Sequence, residues 1–78
     1  MGRVICKRIL NDIILYDESK GDFYMLNETS AKIWEWLKEG KGESEIIRLL
    51  MDEYEVSEDQ VREDVSEVVR YFKEEELV

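Results

Sequence analysis

The chain has 78 residues, of which 11 are basic and 20 acidic, a formal net charge of −9, with one cysteine and neither histidine nor proline. That length suits one small domain with a thin core. It offers no membrane-spanning stretch and no signal peptide, since the N-terminal run is broken by charge, and its charge has the wrong sign for neutralising nucleic-acid phosphates. The first 26 residues, through Leu26, read as strands. "RVICKRIL", "IILY" and "DFYML" are rich in Ile, Val, Tyr and Phe and are divided by the polar pair Asn11-Asp12 and by "DESKG". Three short antiparallel strands are expected, with Gly21 supplying the positive φ of the second turn. In "DFYML", Phe23 and Met25 face one way, Tyr24 and Leu26 the other. Either both faces of the sheet are partly covered or one apolar face is open to a partner.

Residues 27–78 read as helices, and the whole of the net charge lies in this part. Asn27 is a strong N-cap, with Leu26 before it as a hydrophobic staple. Ser30, Ile33, Trp34 and Leu37 share one helical face. Trp34 is expected in the core and Trp36, off the stripe, partly exposed. "KEGKG" ends this helix, with Gly40 or Gly42 taking the left-handed cap. A second helix starts near Glu43 and buries Ile46, Ile47, Leu50 and Tyr54. Ser57 and Gln60 form a capping box for a third, whose apolar arc is Val61, Val65, Val68, Val69 and Phe72. The terminal Leu77 and Val78 fold back onto the body. The fold class is α+β, a three-stranded sheet followed by three helices.

The chemistry of catalysis is missing. Without histidine there is no Ser–His–Asp or Cys–His arrangement, and the commonest metal ligand is absent. Gly40 and Gly42 stand in "EGKGES", outside any phosphate-loop or dinucleotide pattern. No catalytic residue, metal site or cofactor is expected. Cys6 lies in an apolar strand run and reads as filler. A lone cysteine fits a reducing, cytoplasmic setting.

Two features point to binding. The run Phe23–Leu26 has no proline or lysine to protect it as a sheet edge, so a peptide could add a strand there; the same edge is compatible with self-pairing in a homodimer. On the third helix Arg62, Ser66 and Arg70 recur at intervals of four, with Lys73 beside them. This strip is either ordinary intrahelical pairing and solubilising charge or a positive rim for an acidic partner.

From Asp12 to Val78 the chain resembles the PqqD-like family. Tyr24-Met25-Leu26-Asn27-Glu28-Thr29 is similar to the family's aromatic-x-Leu-Asn-x-Thr stretch. Ile33-Trp34, Gly40, Glu45-Ile46, Asp64-Val65 and Leu77 follow in the family's order. Trp36 departs from its usual Leu, and Gly42-Glu43 lacks its frequent Thr. The resemblance implies a winged helix-turn-helix-like domain that binds the leader of a ribosomally made precursor peptide. It would present that peptide to a modifying enzyme, a radical SAM protein or a leader peptidase, as in pyrroloquinoline quinone or lasso-peptide pathways. The leader would lie as an added strand on Phe23, Tyr24, Met25 and Leu26, against Arg62, Val65, Ser66, Val69, Arg70 and Lys73. The competing readings are a winged-helix DNA-binding or transcription-related domain, which the charge opposes, and a small dimerisation domain.

Overall fold

The computed structural model describes residues 4–78. Strands β1 (Val4–Ile9), β2 (Asp12–Asp17) and β3 (Asp22–Leu26) precede helices α1 (Glu28–Lys38), α2 (Glu43–Glu53) and α3 (Glu58–Glu74). The strands form one antiparallel meander in the order β1-β2-β3, so β3 is an edge. This is the expected fold class. One boundary moves: Ile9 pairs with Asp12, so the first turn is Leu10-Asn11 and not Asn11-Asp12. Leu10 there has φ 56°, a conformation normally left to glycine, and its side chain is 90% exposed.

The second turn is built around a buried carboxylate. Asp17 is 1% exposed, and its Oδ1 accepts from the backbone N–H of Ser19 at 2.9 Å and of Lys20 at 3.3 Å. Gly21 closes the turn with φ 72°, and its N–H donates to the Asp17 carbonyl at 2.7 Å. A buried anion is tolerable here because backbone donors satisfy it.

The sheet is two-sided in chemistry and one-sided in packing. Ile13, Leu15, Tyr24 and Leu26 are buried against the helices, while Phe23 and Met25 on the other face remain 72% and 75% exposed. Ile5 and Ile9 extend that open apolar face. Cys6 departs from its expected role as filler: it pairs with Leu15 on the edge strand β1 and is exposed.

Each helix begins and ends where its local chemistry dictates. The Asn27 side chain accepts from the Ser30 N–H, and Ser57 from the Gln60 N–H. Gly40, at φ 91°, ends α1: its N–H donates to the Leu37 carbonyl and that of Lys41 to the Trp36 carbonyl. The same motif ends α3, with Glu76 at φ 58° in the position glycine usually holds. This reversal carries Leu77 into the core, where its carbonyl accepts from Trp34 Nε1 at 3.0 Å. Val78 does not follow; it is 46% exposed. Ile33, Trp34, Ile46, Ile47, Leu50, Val61, Val65, Val69 and Phe72 complete a continuous core, with Trp36 and Leu37 packed at its margin.

Candidate peptide groove beside the third strand

On its open side β3 looks toward α3. Tyr24 projects from the inner face of the strand, and its ring meets Tyr71 edge-on at 6.3 Å between centroids. The Tyr24 hydroxyl donates to Glu75 Oε1 at 2.8 Å, and Lys20 Nζ reaches the Glu75 carbonyl at 2.8 Å. The bond to Glu75 and partial desolvation hold the Tyr24 phenol above its ordinary pKa. These contacts tie the start of β3 to the end of α3. At the opposite end, Thr29 and Ile33 of α1 face Val61, Asp64 and Val68 of α3 across a cavity of about 240 Å³, closed by Leu50, Tyr54 and Val56. Strand and helix therefore run antiparallel. The groove between them has Tyr71 at one end and gives, past the end of β3, onto an apolar recess lined by none of the strand residues.

Tyr54, which closes that recess, is held by Lys32. Lys32 donates to Glu53 at 2.6 Å and to the Tyr54 hydroxyl at 3.1 Å, and lies 3.7 Å from Glu28. The Glu53 and Tyr54 bonds raise its pKa, so this ammonium stays charged. Lys20 is likewise shared, 3.9 Å from Asp17 and 3.7 Å from Glu75.

The residues expected at a peptide site divide among three places. Phe23 and Met25 lie on the outer face, where Phe23 stacks on Tyr16 at 4.6 Å. Tyr24 and Leu26 are buried beneath the strand, so β3 offers a partner chiefly its backbone edge. Val65 and Val69, expected to line the groove, are instead core residues, 0% and 3% exposed. The basic strip is also displaced from its expected position. Arg62 pairs with Glu58 one turn back and borders a cleft against Ser44, Arg48 and Met51 of α2. The Ser66 hydroxyl donates to Glu43 at the start of α2. The helical period places Lys73 on this side and exposed Arg70 at the back. The strip thus follows α2, on the flank of α3 turned away from β3. The cause is the rotation of α3: burying Val61, Val65, Val69 and Phe72 points Tyr71 and Glu75 toward Tyr24 of β3, and Asp64 and Val68 toward the start of α1.

Thr29, Asp64, Val68 and Tyr71 were not singled out by sequence as groove residues. The available signal was a single aromatic, Tyr71, just off the apolar arc. Among the described residues no group of three His, Cys, Asp or Glu side chains could hold a metal, and no helix is long and apolar enough to cross a membrane.

Residues 12–78 match the family described as coenzyme PQQ synthesis protein D (PqqD). Among solved structures, TbiB1 in complex with the TbiA(beta) leader peptide is similar with a TM-score of 0.87 and 28% identity, over 95% of this chain and 86% of that one. A lasso peptide synthetase B1 complexed with its leader peptide is similar with a TM-score of 0.85 and 26% identity, over 96% of this chain and 91% of that one. No curated protein is significantly similar in sequence.

Proposed function

The chain belongs to the PqqD family, and on that premise we propose that it is a non-catalytic recognition domain for the leader of a ribosomally made precursor peptide. The observation that carries this reading is the unpaired edge of β3 beside α3. An extended peptide added to that edge gains backbone hydrogen bonds along β3, while its inward side chains reach the recess at Thr29, Ile33 and Val68. Bound in this way, the leader is held at one end and the rest of the precursor stays free for a modifying enzyme of the same pathway. Similarity to a leader-bound lasso peptide synthetase component supports a leader peptidase ahead of a radical SAM enzyme as that partner.

The test uses a candidate precursor peptide sought among the genes adjacent to this one. Its fluorescein-labelled leader, titrated with the folded chain, should show saturable binding. The full precursor incubated with this protein alone should keep its mass. Modification by the pathway enzyme should then depend on this protein. Absence of saturable binding, or modification by this protein alone, would refute the reading.

A further inference from the structure

The unpaired charges nearest the groove are carboxylates, opposite in sign to the basic strip. The cations of α3 are Arg62, Arg70 and Lys73. Arg62 and Lys73 lie on the α2 side, and Arg70 lies at the back of the helix. On the flank turned to β3 the ionisable side chains of α3 are Asp64, Glu75 and, toward the back, Glu67. Asp22 adds a further exposed carboxylate on the inner side of β3, and Glu28 one at the start of α1.

Two cations border the groove, and both are already engaged. Lys20 is shared between Asp17 and Glu75, and Lys32 between Glu28 and Glu53. Among the described residues Asp22, Asp64 and Glu67 have no cationic partner; Asp64 accepts only from Gln60, at 3.0 Å. The chain as a whole is net −9, so the long-range field has the same sign as the groove.

Resting on the leader-binding reading above, we propose that the occupant of the groove is a cationic peptide strand. Its lysine or arginine side chains would face Asp64, Glu67 and Asp22, and one uncharged apolar side chain would enter the recess lined by Thr29, Ile33 and Val68. The open strand edge and the recess make the site; the carboxylates decide which leaders it accepts. An acidic leader would be repelled along the whole length of α3 that it must pass. A cationic one gains several exposed pairs, each modest but additive in sign, together with faster encounter.

The experiment pans a displayed library of random twelve-residue peptides against the folded chain at low salt. The proposal expects recovered peptides enriched in Lys and Arg at alternate positions around one bulky apolar residue. A recovered peptide remade with Glu for each Lys or Arg should bind at least tenfold more weakly, and the gap should narrow in high salt, where the screening length falls to a few ångströms. The double variant Asp64→Lys with Glu67→Lys should reverse the order of the two peptides. Arg62→Glu with Arg70→Glu, on the far side, should leave the order unchanged. Circular dichroism verifies that both exposed double variants stay folded. Recovery of neutral or acidic peptides, or equal binding of the Glu version, overturns the charge proposal while leaving peptide recognition standing. Recovery of no peptide overturns both.

Discussion

At the scale of single residues, two side chains stand where the backbone asks for something else or something specific. Glu76 ends α3 at φ 58°, where a side chain is strained and glycine is not. Glu76→Gly should stabilise the fold by about 0.5–1 kcal/mol, read as a rise of a few degrees in the thermal midpoint. No change or a fall would mean that the Glu76 side chain contributes more than its strain costs. Asp17 is the converse case, a buried carboxylate accepting two backbone N–H groups that have no other partner in the turn. Asp17→Ala should cost about 1–3 kcal/mol by stranding those donors. Asp17→Asn keeps the acceptor oxygen and should cost much less, and urea denaturation of both variants separates the two outcomes. Neither residue declares itself in the sequence. Glu76 is one of three consecutive glutamates, and Asp17 one of four acidic residues in the strand region.

At the scale of elements, the helix boundaries were legible and the helix rotations were not. A cap is a contact between residues three or four apart, so Asn27 with Ser30 and Ser57 with Gln60 could be read from neighbours alone, and the stop of α1 could be narrowed to Gly40 or Gly42, of which the structure uses Gly40. Asn27→Ala should accordingly cost about 1 kcal/mol in an equilibrium melt. Which flank of α3 meets β3 is a different kind of fact. Arg62 and Asp64 border the same apolar arc from opposite sides, and only the packing of α3 on α1, α2 and the sheet decides which side looks at the open edge. The same limit explains Cys6, which sits on the inward face of β1 yet is left exposed by the packing. The recess offers a direct check on the flank assignment. Thr29 is exposed and lines it, so Thr29→Trp should fill the space without disturbing the core. Leader affinity should fall about tenfold, equivalent to about 1.4 kcal/mol, at unchanged melting temperature. An unaltered affinity would place the leader elsewhere.

At the scale of the whole molecule, the helices hold one strand edge open. The sheet packs its inner face on α1, and Lys20, Tyr24, Tyr71 and Glu75 brace the hairpin against the end of α3. The groove is therefore formed before a peptide arrives, and little ordering is required of the protein on binding. The open outer face, with Phe23 and Met25, leaves the opposite side of the same strand accessible while its edge is occupied. The central claim is that the leader becomes a fourth strand beside β3. Amide hydrogen exchange, followed residue by residue with and without saturating leader in dilute protein, tests it most directly. The account predicts slowed exchange at alternate amides of Asp22–Leu26, with the inner strand β2 little changed because its amides are already paired on both sides. Unchanged exchange throughout β3, or protection confined to the Arg62–Ser66 side of α3, would contradict it.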